Sequence, residues 1–126
     1  MSAKCTKYDN LSDVLEYGNI SDQEAISICN EIIRESISET DHSVLEAMFH
    51  AVFTGVVNRK IAKELHTESI ISNLESYSEA ISDYVITILA CTGKLEYESI
   101  IKQLGEKYPS LDAEEALQEL KNDKRK

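Results

Sequence analysis

The residues that could carry out chemistry in this sequence are three histidines, three cysteines and 23 acidic residues. His50 lies four residues after Glu46, but neither the HExxH zinc motif nor the paired ExxH motifs of di-iron bundles is present. His66 and Glu68 match the HxE pattern of zinc deaminases, yet no PCxxC segment follows. No glycine-rich phosphate loop and no GxSxG nucleophile turn occurs. The sequence therefore predicts no catalytic residue, no cofactor and no metal site, and we expect that the protein is not an enzyme.

The cysteines give no indication of a metal site or of a disulfide framework. Cys5, Cys29 and Cys91 are odd in number and widely separated, and none belongs to a CxxC pair. We expect reduced thiols, with Cys29 and Cys91 as small residues of the core.

The glutamates form a pattern that could bind a partner, because three runs of them, within 31–39, 64–68 and 75–79, are spaced at four-residue intervals. Like charges at this spacing cost a helix roughly 0.2–0.5 kcal/mol per pair. The pattern is therefore either a solvated helix face or a docking surface for a basic partner. Tyrosines at exposed helix ends often contribute to binding as well. The predicted partner-binding residues are Glu31, Glu35, Glu39, Glu64, Glu68 and Tyr77.

The charge of the chain restricts the partners it can take. The 126 residues carry a formal net charge of −10, which repels nucleic acids and anionic membranes and attracts basic proteins. The first ten residues lack the apolar core of a signal peptide, and the apolar stretch 84–91 is too short to span a bilayer. We therefore expect a cytoplasmic protein that binds neither nucleic acid nor membrane.

Helices must position these side chains, since nearly every segment repeats apolar residues with helical spacing. We expect a single domain over residues 1–126, with 1–8 as an N-terminal extension and 121–126 as a frayed basic tail. Capping boxes are predicted at Ser21 with Glu24 and at Asp112 with Glu115, and Asp41 or Ser43 can cap another helix. The remaining predicted helices cover residues 9–17, 81–92 and 97–107.

The segment 58–77 can be interpreted in two ways. Ile61 and Leu65 share one face of a continuous helix, whereas Ile70 and Leu74 would point to the opposite side. Either the helix breaks near residues 66–68, with Thr67 as a new N-cap, or one long helix exposes apolar groups to a partner. We favour the break.

An internal repeat is indicated by Gly18, Gly55 and Gly93, which are separated by 37 and 38 residues. Each is predicted to end the first helix of a helix pair. The segments SVLEAMFHAVFTG and ISDYVITILACTG before the last two glycines are alike, as are IAKEL and IIKQL after them. A fixed period in this range is typical of stacked helical hairpins.

With this repeat, residues 9–107 resemble the HEAT-like family of α-solenoids. The resemblance implies an all-α fold of stacked antiparallel helical hairpins with about six or seven helices, whose second helices line a binding surface. In size, acidity and helical repeat the chain also resembles the immunity proteins of bacterial toxin systems, including contact-dependent inhibition.

That second resemblance implies a protein-binding inhibitor, an immunity protein that neutralises a cognate basic, nuclease-type toxin domain through an acidic surface. A helical-repeat scaffold or regulatory adaptor without a toxin partner is the alternative. An enzyme with an unrecognised carboxylate site is a second alternative.

Overall fold

The computed structural model describes residues 3–123, which form seven α-helices and three single-turn 3-10 helices, with no strand among them. The all-α prediction is therefore confirmed. The 3-10 turns cover Ala62–Glu64, Leu74–Ser76 and Leu95–Tyr97. The α-helices are α1 (Ala3–Tyr17), α2 (Asp22–Ser36), α3 (His42–Asn58), α4 (Thr67–Ile71), α5 (Glu79–Cys91), α6 (Glu98–Lys107) and α7 (Ala113–Asp123).

Both ends of the described chain are more helical than predicted. Helix α1 begins at Ala3 and not at Asp9, so residues 3–8 are not an extension. The reason is Tyr8, whose ring is buried and whose hydroxyl donates a hydrogen bond to Glu35 Oε1 at 2.8 Å. At the other end, helix α7 continues to Asp123, and residues 124–126 of the predicted tail lie outside the described residues.

The predicted caps position the helices that follow them. The Ser21 hydroxyl accepts from the Glu24 backbone N–H, and the Glu24 carboxylate accepts from the Ser21 N–H, both at 3.1 Å. This reciprocal pair confirms the first capping box. Asp41 caps α3 by accepting from the N–H groups of the next turn. Asp112 Oδ1 accepts from the Glu115 N–H at 3.0 Å at the start of α7.

Two of the three repeat glycines end a helix and the third does not. Gly18 follows α1, and Gly93 follows α5 with a φ of 68°, a conformation that favours glycine. Gly55 instead lies inside α3, which continues to Asn58, so its predicted role as a helix end is wrong. A Cβ at Gly55 would lie 2.9 Å from Cys29 Sγ, so this glycine allows α2 and α3 to pack closely.

The segment 58–77 is broken, as favoured from its sequence, into two 3-10 turns and the short helix α4. Thr67 is not the N-cap, because the cap position is His66, which makes no side-chain capping bond. Thr67 is the first helical residue and is fully buried, where its hydroxyl pairs with the Tyr97 hydroxyl at 2.5 Å. Burial against Tyr97 thus determines the position of this residue.

The odd-numbered helices form a row, because α1 packs on α3, α3 on α5 and α5 on α7. Ser12 bonds Thr54 while Arg59 reaches the end of α1, so α1 and α3 run in the same direction. Helix α2 packs against both α3 and α4, and α6 packs against α5 and α7. These contacts are compatible with stacked helical hairpins. The HEAT-like solenoid itself stays a prediction.

Tyrosine hydroxyls form hydrogen bonds that join different elements of the fold. Tyr77 donates to the Ile70 carbonyl at 3.0 Å, and Tyr108 donates to the Tyr77 carbonyl at 3.1 Å. With the Tyr8 and Tyr97 bonds, four tyrosines connect the helices through a polar tip while their rings fill apolar space. This structural use leaves few tyrosines for a binding surface.

Candidate functional site

The predicted glutamate row (Glu31, Glu35, Glu39) does not lie entirely on an exposed face, and Glu39 lies beyond the end of α2 at Ser36. Glu39 Oε1 is 3.2 Å from Lys4 Nζ, and Glu35 Oε2 is 3.7 Å from Lys7 Nζ. The side chains of Glu39 and Glu35 are 12% and 34% exposed. The first turns of α1 cover these two carboxylates, so the expectation of a fully exposed row is wrong for them.

Glu39 has a structural task of its own at the start of α3. Its carboxylate accepts hydrogen bonds from the backbone N–H groups of Asp41 and Thr40 at 3.0 and 3.1 Å. The Asp41 N–H first, and then the Lys4 ammonium, hold the pKa of Glu39 below its ordinary value. Glu35 in turn accepts from Tyr8, and burial together with this carboxylate raises the pKa of Tyr8.

The other three predicted glutamates are exposed and lie on neighbouring elements. The Glu31 side chain is 61% exposed, with Arg34 3.7 Å away, and Glu64 and Glu68 are also exposed. Asn30 joins these elements, because its Nδ2 donates to the Glu64 carbonyl at 3.3 Å and its Oδ1 accepts from the His66 N–H at 2.8 Å. We call Glu31, Glu64 and Glu68 the acidic surface.

Tyr77 is not exposed, so this part of the predicted site is wrong. Its residue surface is only 4% exposed, and its ring packs edge-on against Phe49 with centroids 5.0 Å apart. Burial raises the pKa of Tyr77 to about 12. The tyrosine was expected at the surface because it ends a helix turn, but that turn packs inward onto α3.

A cleft of about 750 Å³ lies along α5, between the end of α3 and helix α7. Its floor is apolar and is formed by Val56, Val57, Ala62, Ile86, Ala90 and Ala116, with Cys91 half-buried beside them. Val57 is 50% exposed and Ile86 only 2%, so the floor includes both open and buried apolar groups. No local sequence pattern indicates this cleft, because its walls come from three separate helices.

The two rims of the cleft carry opposite charges. Arg59, Lys60 and Lys63 follow α3 on one side, and Asp112, Glu115 and Glu119 lie at the α7 side. Asp83 on α5 adds a fourth acidic residue to the lining of the cleft. Within residues 3–123, no ion pair includes Glu119. The Glu115 carboxyl shares a hydrogen bond with Asp112, which raises the pKa of Glu115.

Arg59 is a structural cation even though it lines the cleft. Its Nε donates to the Leu15 carbonyl at 3.0 Å, and its two Nη atoms donate to the carbonyls of Gly18 and Ile20 at 3.1 and 3.0 Å. Asp22 Oδ1 lies 3.3 Å from Nη1. The guanidinium thus satisfies carbonyls that the end of α1 leaves without helical partners. Lys60, the next residue, is exposed.

An aromatic cluster of His50, Phe53 and Tyr84 lies on α3 and α5, two of the three helices that line the cleft. Ring centroids of Phe53 and Tyr84 are 5.2 Å apart, and those of His50 and Tyr84 are 5.5 Å apart. All three residues are half-buried. Burial, followed by Glu46 and Asp83, raises the pKa of Tyr84. The sequence did indicate Phe53, which widens the apolar stripe of α3, but it could not pair Phe53 with Tyr84.

The remaining side chains that could carry out chemistry are either buried in the core or separated from one another. Cys29 is fully buried, and this burial raises the pKa of its thiol to about 12. Within the described part of the chain, no three His, Cys, Asp or Glu side chains are grouped so that they could hold a metal ion. In the same residues, no helix has the length and apolar character that crossing a bilayer requires.

No protein-family model, no curated protein and no solved structure matches this chain. The resemblances to HEAT-like repeats and to immunity proteins therefore stay predictions.

Proposed function

We propose that this protein is a cytoplasmic protein-binding inhibitor, an immunity protein that neutralises a basic, nuclease-type toxin domain. The observation that supports this most directly is the acidic surface, where Glu31, Glu64 and Glu68 are exposed on elements joined by Asn30. The net charge of −10 adds long-range attraction for a basic partner.

The physical role of such a surface is to compete with a phosphate backbone. A nuclease binds phosphates through lysine and arginine side chains, so carboxylates presented by a rigid protein can occupy the same cations. Electrostatic attraction of this kind mainly raises the association rate and depends strongly on salt. Glu35 and Glu39 are excluded from this role, because α1 already pairs them with lysines.

The test is co-expression with the product of the adjacent reading frame, followed by binding and growth measurements. Reversing the charge of Glu31, Glu64 and Glu68 to lysine should slow association at least tenfold and abolish growth protection. The matched control reverses three exposed glutamates elsewhere, Glu96, Glu106 and Glu114, and so has the same net charge. An equal loss in both variants would show that net charge alone, and not this surface, attracts the partner.

A second candidate function, an adaptor without a toxin partner, is favoured by the cleft between α3, α5 and α7. An apolar floor with a charged rim resembles the anatomy of a protein–protein interface. The two functions predict different results in the growth assay, because only an inhibitor protects cells from the toxin. An adaptor would bind its partner while leaving the toxicity of a neighbouring gene product unchanged.

A further inference from the structure

We propose that the cleft between α3, α5 and α7 binds an amphipathic helix of a partner protein, with basic residues on one flank of that helix and acidic residues on the other. This site is independent of the proposed inhibitor function, because none of its residues belongs to the acidic surface. Three observations support the proposal: the shape of the floor, the charges of the rims and the neighbouring aromatic cluster.

The floor of the cleft has the length and the groove shape that a bound helix requires. The α5 residues that line it lie between Asp83 and Cys91, a stretch of nine residues that is about 12 Å long along the helix axis. Two helical turns of a partner therefore fit along it, with anchors at i, i+4 and i+7. Because α5 lies between α3 and α7 in the row, its outer face forms a groove between their ridges, which accepts the ridge of another helix.

The rims determine the charge of the partner's two flanks. Lys60 is exposed on the α3 side, so it favours an acidic flank, whereas Glu115 and Glu119 on the α7 side favour a basic flank. A purely basic helix would be repelled by Lys60, and a purely acidic helix would be repelled by Glu115 and Glu119. A nucleic acid strand is disfavoured for the same reason as the acidic helix. Only a helix with opposite flanks complements both rims.

The aromatic cluster adds apolar surface beside the end of the cleft that Asp83 lines. Phe53 precedes Val57 by one helical turn, and Tyr84 precedes Thr87 by three residues, so each aromatic is one turn from a cleft residue. Half-buried phenylalanine and tyrosine rings next to a charged rim are favoured places for strong binding contributions. The partner's helix should therefore continue over Phe53 and Tyr84.

The test is a displayed library of 18-residue helical peptides with a fixed leucine stripe and randomised Lys or Glu flanks, selected on the full-length protein. Enriched peptides should carry basic residues on one flank and acidic residues on the other. Selection on a Lys60→Glu, Glu119→Lys variant should enrich the opposite order. Peptides selected on the original protein should bind this variant about tenfold more weakly. Both positions are exposed, so the exchange should leave the helical circular dichroism unchanged.

Three outcomes would overturn the proposal. These are no enrichment over background, enrichment of uniformly basic peptides, and the same flank order on both proteins. A Thr87→Trp variant, which places a large ring in the groove, gives a second measurement. If it remains folded and still binds the selected peptides with unchanged affinity, the peptides do not bind in the cleft.

Discussion

The last turn of α3 has two sides that differ sharply in how their polar groups are used. On the side towards α1 and α2, Gly55 allows close packing on Cys29, and Arg59 binds three carbonyls and Asp22. On the side towards α5 and α7, Val57 and Lys60 are exposed at the cleft. We call these the closed side and the open side. Arg59 thus stabilises the fold on one side, whereas the adjacent cation Lys60 remains available for binding on the other.

The largest difference is expected in thiol reactivity. Cys29, on the closed side, is buried with a pKa of about 12, so it should react only when the protein unfolds. In a Cys5→Ser variant, Cys91 at the cleft should react with a disulfide reagent at least about a thousandfold faster than Cys29, the factor implied by a stability near 5 kcal/mol. Comparable rates, measured by peptide mapping, would show that the closed side opens locally.

Replacing the two neighbouring cations should have unequal effects on stability. Arg59→Ala leaves carbonyls at the end of α1 without partners and should cost about 2–3 kcal/mol of unfolding free energy. Lys60→Ala, on the open side, should change it by less than about 0.5 kcal/mol. Urea denaturation of both variants gives the comparison. Similar losses would mean that Lys60 has a structural role.

The close packing at Gly55 should appear as an energetic coupling between Gly55 and Cys29 in the free energy of unfolding. Gly55→Ala places a Cβ 2.9 Å from Cys29 Sγ, and the clash should outweigh the better helix propensity of alanine by about 1 kcal/mol. Cys29→Ala should relieve the clash. A double-mutant cycle should then give a coupling of about 1–2 kcal/mol. Zero coupling would mean that the loss arises elsewhere.

A smaller change in the free energy of unfolding is expected when Ser82 is replaced. This change tests whether the buried polar groups of α5 all have hydrogen-bond partners. Among the described side chains, the Ser82 hydroxyl is the one buried polar group without a hydrogen-bond partner. Ser82→Ala should therefore raise the unfolding free energy by about 1 kcal/mol. The matched control is Thr67→Ala, which should lower stability because it removes the bond to Tyr97. A loss for Ser82→Ala would show that the hydroxyl is bonded in solution.

The smallest effect concerns acid stability. The pKa of Glu39 is lowered in the folded state, so its stabilisation is present above the ordinary pKa of glutamate and is lost as the pH falls through the lowered value. Glu39→Gln should therefore weaken the dependence of thermal stability on pH below about 5. Lys4→Met, which removes only the second of the two groups that hold this pKa down, should weaken the dependence to a smaller extent. An unchanged profile for Glu39→Gln would contradict the assigned role of Glu39.

The sequence predicted the elements well because their signals are local. The capping box at Ser21, the cap at Asp41 and the left-handed Gly93 each depend on residues within one turn. It predicted the site poorly because contacts between side chains of different helices do not depend on residues that are near each other in the sequence. Four-residue spacing placed Glu31 and Glu35 on one face of α2, but it showed neither that the helix ends before Glu39 nor that Lys4 and Lys7 pair with Glu39 and Glu35. The cleft was missed for the same reason.

Helices α3 and α5 run in the same direction, because Phe49 and Phe53 of α3 pack in that order on Tyr77 and Tyr84. Helix α7 follows the same course, since Ser110 before its start bonds Glu79 at the start of α5.

This shared direction has an electrostatic consequence. The three helices begin near Asp41, Glu79 and Asp112, and the first two end near Lys60 and Lys94. Each carboxylate lies beside the partial positive charge of a helix start, and each ammonium lies beside the partial negative charge of a helix end. Both placements favour the folded state, so charges at the two edges of the row stabilise helices that share one direction. High salt should weaken this contribution, because it screens exposed charges.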